Sequence, residues 1–294
     1  MPVRPVIAGI DGPQALRDAL RTAQYIADEG LATAAYLALA LGKPLLLEGM
    51  PGVGKTEAAK ALAAVLSLRL LRLQCYEGID AAAAIYEWNH PRQILAIRQA
   101  EGGYVNIWGD EFLIARPLLE TVQNAAGTLL LLDEVDRSDH EFEAYLLEFL
   151  SDFQISIPER GTLRAAEPPV VVLTSNRTRE LHEALRRRCV YHWIDYPDPA
   201  LEAEIVMMRA SRVARATAEA VVAAVGGLRR EPLGKPPGVS ETVEWAEAAT
   251  LLHGQGAAWP DAFRRAVGLA VKDHEDLELL GDRLEALLPT GGGR

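Results

Sequence analysis

Eight consecutive residues, Gly49-Met50-Pro51-Gly52-Val53-Gly54-Lys55-Thr56, fit the pattern G-x-x-x-x-G-K-[ST]. Glycines at these places let the backbone curl until its N–H groups point inward around phosphate oxygens, with Lys55 reaching the β- and γ-phosphates and the Thr56 hydroxyl ligating Mg²⁺. A helix beginning there adds its positive end to the same anion site. The pattern therefore implies ATP and Mg²⁺, with nucleotide contacts expected from Gly49, Pro51, Gly52, Val53, Gly54, Lys55, Thr56 and Glu57. A second constellation follows in the chain: the apolar run Leu129-Leu130-Leu131-Leu132 leads into Asp133-Glu134. Asp133 is suited to hold Mg²⁺ through water, and Glu134 to orient and deprotonate an attacking water. Taken alone, two acids ending an apolar strand are more simply a solvated strand end. Downstream of a phosphate loop, the catalytic reading is the stronger.

These groups need a scaffold. Residues 45–47, 128–132 and 170–173 are apolar runs that read as buried strands, and Arg69–Gln74 reads as another. Helical patterns cover 13–42 as two helices broken near Gly30, then 56–68, 115–126 and a stretch from about Glu141 with Phe142, Leu146, Phe149 and Phe153 on one face. Residues 154–157 alternate and 158–161 turn, which predicts a small hairpin over 154–162. Residues 76–114 are mixed and aromatic, with weak periodicity. Buried strands alternating with helices indicate an α/β fold: a parallel sheet sandwiched by helices. After Tyr196-Pro197-Asp198-Pro199 only helical patterns remain, with Asp198 as a cap and Pro199 as a first helical residue, interrupted by a loop at 229–238. The expected division is a nucleotide-binding domain over 1–197 (N-terminal helices 13–42), an all-helical lid over 198–290 and a disordered tail at 291–294.

The 294 residues are 49% hydrophobic and 24% charged, with a formal net charge of −11, so the chain as a whole has no electrostatic pull toward nucleic acid or anionic lipid. Its two cysteines, Cys75 and Cys189, make neither a zinc spacing nor a disulfide framework, which favours a reducing, cytoplasmic setting. The opening residues lack the apolar stretch of a secretory leader. The most apolar segment, 31–47, is broken by Gly42-Lys43-Pro44, short of the roughly 20 residues a membrane span needs.

The phosphate loop, the LLLLDE strand and the VVLTSN strand, in that order, resemble the core of an AAA+ ATPase. The stretches LLLEGMPGVGKTE, LLLLDEVDRSDHEFEAYLLEFLSDFQISIPERGT and VVLTSNRTRELHEALRRRCVYHWIDYP resemble the MoxR type, closest to its CoxD-like branch. The resemblance implies a P-loop AAA+ core with a small helical lid, assembled as a homo-oligomeric ring of six. It also implies a partner carrying a von Willebrand A domain, and a metalloenzyme client of the carbon monoxide dehydrogenase kind. By the same resemblance Asn176 is the polar residue that helps place the water, the plain alternative being a turn-forming Asn at a strand end. Arg188, with Arg187 in reserve, is the arginine finger offered to a neighbouring subunit, the alternative being a basic helix end. The hairpin at 154–162 resembles the clade's helix-2 insert, or is an ordinary surface hairpin. One departure stands out: related families carry an arginine at the start of a lid helix, where this chain has Gly238-Val239-Ser240-Glu241-Thr242, and Arg229 or Arg230 are its conceivable replacements.

The main functional expectation is Mg²⁺-dependent ATP hydrolysis that drives remodelling or maturation of a client. A nucleotide-gated binding switch with negligible turnover is the alternative, and a small-molecule P-loop kinase fits poorly with the helical C-terminal part. His140, Asp136 and Asp139 are read as solvated or capping charges. Residues 76–77 and 87–90 are read as packing and surface.

Overall fold

The computed structural model describes residues 9–79, 84–100 and 103–292. The last two residues of the expected tail and the first eight of the chain lie outside them. The chain divides into two compact units: one gathers Ala27–Glu48 and Thr56–Trp193 with the segment ending at Ala23; the other holds Gln24–Ile26, Gly49–Lys55 and the chain from Ile194 on.

The strands are β1 (Leu45–Gly49), β2 (Arg69–Gln74), β3 (Tyr86–Trp88), β4 (Leu113–Ala115), β5 (Thr128–Asp133), β6 (Gln154–Ile157), β7 (Gly161–Arg164), β8 (Val170–Ser175) and β9 (Val190–Ile194). Five of them form the main sheet in the order β2-β5-β8-β1-β9, and β2 with β5, β5 with β8 and β8 with β1 pair in parallel. Every residue of β5 and β8 is buried, which is why their sequences are unbroken apolar runs rather than alternating ones. The helix His140–Asp152 lays Phe142, Leu146 and Phe149 into a core shared with Leu118 and Leu119 of the helix Pro117–Gln123 and with Leu130, Leu132 and Leu173 of the sheet. Phe153, placed on that helical face by the sequence, is instead its left-handed C-cap at φ 49°, and is still buried.

The α/β architecture stands as expected, with three local refinements. The two helices expected over 13–42 are present as Pro13–Thr22 and Glu29–Leu41, and the break expected near Gly30 falls just ahead of it, over 23–28. Asp28 accepts the N–H of Leu31 at 2.6 Å and so starts the second helix, leaving Gly30 inside its first turn. Strand β9 was not expected, because VYHWI is only partly buried and directly follows the basic cluster. Within the aromatic stretch after residue 76, β3 and β4 pair antiparallel, and the helix His90–Gln99 is capped by the Asn89 side chain. The hairpin is present as β6 and β7, Gln154 facing Arg164.

The second unit contains the helices Pro199–Arg209, Arg215–Leu228, Val239–Gly254, Trp259–Ala266, His274–Leu280 and Arg283–Leu287. Asp198 caps the first by accepting from Leu201 N–H at 2.9 Å, with Pro199 following it. Trp245 is fully buried, stands edge-on to Phe263 at 6.1 Å and donates its indole N–H to the Phe263 carbonyl at 3.0 Å. Among the described residues no helix is long and apolar enough to cross a membrane.

Candidate functional site

The phosphate loop leaves β1 and enters the helix Lys55–Val65. Gly52 and Gly54 have φ of +78° and +97°, conformations that side-chain-bearing residues rarely adopt. At Gly49 the reason for glycine is space, since a Cβ would lie 2.3 Å from the Ile194 carbonyl oxygen. Lys55 is buried, and its ammonium donates to the carbonyls of Gly49 and Met50 at 2.8 Å each, so its charge is held over the inside of the loop. Within the same unit, Val239 N–H donates to Gly52 O at 2.9 Å, and a Cβ on Gly52 would meet Gly238 Cα at 2.7 Å. Tyr196 OH donates to the Pro51 carbonyl at 3.4 Å. Glu57, the last expected nucleotide contact, lies in the first turn of the helix and pairs with Lys60 at 2.7 Å.

In the other unit, Thr56, Asp133, Glu134 and Asn176 come together. Asp133 ends β5 and is 1% exposed. Its Oδ1 accepts from the hydroxyls of Thr56 at 3.0 Å and Thr174 at 2.5 Å. Its Oδ2 accepts twice from Arg72, Nε at 2.9 Å and Nη2 at 2.6 Å. Glu134 sits in the left-handed region at φ 54°, ψ 50°, and its backbone N–H donates to Thr174 Oγ1 at 2.9 Å. Three side chains donate to its carboxylate: Asn176 Nδ2 to Oε1 at 3.3 Å, and Gln74 Nε2 at 3.0 Å and Arg137 Nη1 at 2.8 Å to Oε2.

Asp136 corrects the sequence reading. It is 1% exposed rather than a surface charge, and it accepts from the backbone N–H groups of Asn176 and Thr178 and from the Thr178 hydroxyl. It thereby fixes the loop that carries Asn176. Asp139 does cap a helix, accepting from Phe142 N–H at 2.8 Å, and His140 is exposed. Arg72, Gln74 and Arg137 were not foreseen. Alternate residues of a strand share a face, and β2 lies beside β5 with Gln74 opposite Asp133, so residues 72 and 74 belong next to the acids. The signal was present in the alternation of β2, but it is readable only once its neighbour in the sheet is known.

The three arginines at 186–188 point different ways. Arg188 donates to Ser151 Oγ at 2.7 Å and the Ala184 carbonyl at 2.9 Å, Arg187 pairs with Glu183, and Arg186 lies 3.8 Å from buried Glu48 and 5.3 Å above the Tyr191 ring. Arg187 and Arg188 are exposed. Arg229 does not stand free: it forms a two-pronged pair with Glu202 and lies 4.1 Å from the centre of the Tyr196 ring, while Arg230 is exposed. The Cys75 thiol, immediately after Gln74, is pushed up to about 12 by burial, reinforced by the charges of Asp133, Asp136 and Glu134.

The donor set fits a hard cation. Thr56 and Asp133 offer oxygen only, and they already share Oδ1. Among the described residues no group of three or more His, Cys, Asp or Glu side chains could hold a metal alone. A Mg²⁺ ion would therefore take its remaining ligands from water and phosphate.

Several known proteins share parts of this chain. It is 28% identical to protein NorQ of Paracoccus denitrificans (strain Pd 1222) over 170 residues, covering 55% of this chain and 56% of NorQ, so the chain spans little more than half of that relative's length. It is 27% identical over 196 residues to the denitrification regulatory protein NirQ of Stutzerimonas stutzeri, covering 64% of each. A proline-to-glycine variant of Thermotoga maritima RuvB has the same fold, with a TM-score of 0.51 at 19% identity over 94% of this chain and 76% of that one. The model of the ATPase family associated with various cellular activities matches residues 45–194, which run from β1 through β9 and contain both the phosphate loop and the acids. This chain belongs to the AAA family.

Proposed function

We propose that this chain is a Mg²⁺-dependent ATPase of the MoxR type, in its CoxD-like branch, working as a ring of identical subunits, six in number by resemblance. The amides of residues 49–54 and the Lys55 ammonium bind the triphosphate. Thr56 and Asp133 would hold the cation, which when bound neutralises charge developing on the phosphates. Glu134 takes the proton of the attacking water, and Asn176, bonded to the same carboxylate, orients that water. Arg188, exposed on its subunit, reaches the γ-phosphate of the next one and makes turnover depend on assembly. The observation that carries this reading is the meeting of Thr56 and Asp133 on one carboxylate oxygen, with the Asn176 amide on the neighbouring acid.

The work done with that energy is remodelling or maturation of a metalloenzyme client in the cytoplasm, through a partner with a von Willebrand A domain. The likeness to NorQ and to NirQ, a denitrification regulatory protein by name, supports a role toward a redox enzyme system. One observation favours a second reading, a nucleotide-gated switch with negligible turnover: Glu134 already accepts from three donors, which restrains it as a base. Calorimetry and phosphate release on two variants separate the readings. Lys55→Ala is expected to lose ATP binding, and Glu134→Gln to keep ATP binding while losing at least a hundredfold in phosphate release. Unaltered ATP affinity in Lys55→Ala overturns the phosphate-loop assignment; release that is already nil and unchanged by Glu134→Gln selects the switch.

A further inference from the structure

Asp133 does not wait for a cation with an open face. It is buried, so its charge must be met by partners. Oδ1 takes two hydroxyls, and Oδ2 takes both the Nε and Nη2 of one guanidinium. The guanidinium belongs to Arg72, whose side chain is 49% exposed while that of Asp133 is 2% exposed. Arg72 therefore meets the buried carboxylate from its more exposed side, through Oδ2. The same Nη2 donates to Gln74 Oε1 at 2.5 Å, and Gln74 passes its own N–H to Glu134 at 3.0 Å. One cation thus touches the metal-side acid directly and the water-side acid through a single amide.

We infer that Arg72 is a positioning residue that neutralises Asp133 and makes divalent-cation binding depend on nucleotide. This rests on the assignment of Asp133 to the Mg²⁺ site. With Arg72 in place, the acid carries little net charge toward a bare ion, and a positive charge a few ångströms away repels that ion. A cation delivered with phosphates brings its own anionic ligands, so the repulsion is offset. Arg72 also fixes the carboxylate through Oδ2, which leaves Oδ1, beside the Thr56 hydroxyl, as the oxygen turned to the metal's water shell. Its planar fork suits this two-bond hold, where lysine would offer only a point charge.

The test is a titration of the nucleotide-free full chain with Mn²⁺, followed by electron paramagnetic resonance, for the wild type, R72Q, R72K and R72Q combined with D133N. R72Q is expected to bind Mn²⁺ roughly tenfold more tightly than the wild type without nucleotide, from removal of one nearby positive charge. R72K, which keeps the charge, is expected to stay within about threefold of the wild type. The added D133N change is expected to cancel the gain. Equal Mn²⁺ affinity in R72Q and the wild type overturns the inference, as does a gain that survives D133N. Should R72Q fail to fold, R72K decides the matter with the wild type: Mn²⁺ binding to R72K tighter than about threefold contradicts a role carried by charge, and binding within that range sustains it. No nucleotide enters these titrations, so their outcome is separate from the ATP-binding and phosphate-release tests of the activity itself.

Discussion

Each unit of the molecule holds a buried carboxylate against an arginine, Glu202 with Arg229 in one and Asp133 with Arg72 in the other, and these two pairs are built to opposite ends. In the helical unit Glu202 meets Arg229 through both oxygens at 2.7 and 2.9 Å, the Thr242 hydroxyl adds a third bond at 2.7 Å, Arg229 Nε reaches the Pro237 carbonyl, and the Tyr196 ring closes the stack. The side chains are 13% and 2% exposed. Both carboxylate oxygens of Glu202 and all three guanidinium nitrogens of Arg229 have partners there. At the sheet edge, Asp133 is equally buried, but its arginine is half in water and two of its four donors are rotatable hydroxyls. The same pairing of carboxylate and guanidinium makes a closed lock in one place and a more exposed, more rotatable arrangement in the other. The number of partners is similar; their freedom to leave is what differs.

The comparison breaks most directly on the lock. Arg229→Met strands a buried carboxylate and is expected to cost about 3–5 kcal/mol in urea unfolding. A loss under about 1 kcal/mol would mean the pair is no lock. Asp133→Asn is expected to cost less, about 1–2 kcal/mol, because Arg72 can turn to solvent while the amide keeps part of the hydroxyl bonding. If Asp133→Asn destabilises as much as Arg229→Met, the claimed difference between the two pairs disappears. The smallest effect sharpens the sheet-edge side. Cys75 and Cys189 are both pushed up to about 12, by burial in each case, from an ordinary 9.0. The unfolded chain then releases those protons first, so the native state binds more of them between 9.0 and about 12, and stability is intact below that window and falls as pH rises through it. At about pH 9.5 the loss is expected to be under about 1 kcal/mol for each thiol. A thiol reagent at pH 8 should leave the folded protein unlabelled and label both cysteines in urea; rapid labelling of the native Cys75 would contradict its place behind the acids.

What the sequence made legible follows the same division between local and distant. The phosphate loop is a contiguous pattern whose glycines, lysine and threonine act through their own backbone neighbourhood, so it could be read residue by residue. Asp133 and Glu134 were legible because an apolar run has to end at a sheet edge. Arg72 and Gln74 were not, because their meaning comes from β2 lying beside β5, a pairing that no local pattern states. Asp136 looked like any acid in a polar turn, and only the return of the chain at 176–178 gives it donors. The arginine missing at residues 238–242 was visible as an absence, yet one conceivable substitute, Arg229, is committed to Glu202 of the preceding helix, a contact that no local pattern states. Strand β9 was obscured by partial burial and by the arginines that precede it.

The backbone of Glu134 carries a last implication. At φ 54° this position is one where glycine would rest at ease and any side chain costs on the order of 1 kcal/mol. The molecule keeps a carboxylate there nonetheless, held by donors from two other strand ends and the turn behind it. Selection for heat resistance alone would favour the smaller residue at this spot, which under the proposed mechanism removes the group that meets the attacking water. A thermally hardened descendant of this chain is therefore most at risk of going silent at one residue, with its fold intact.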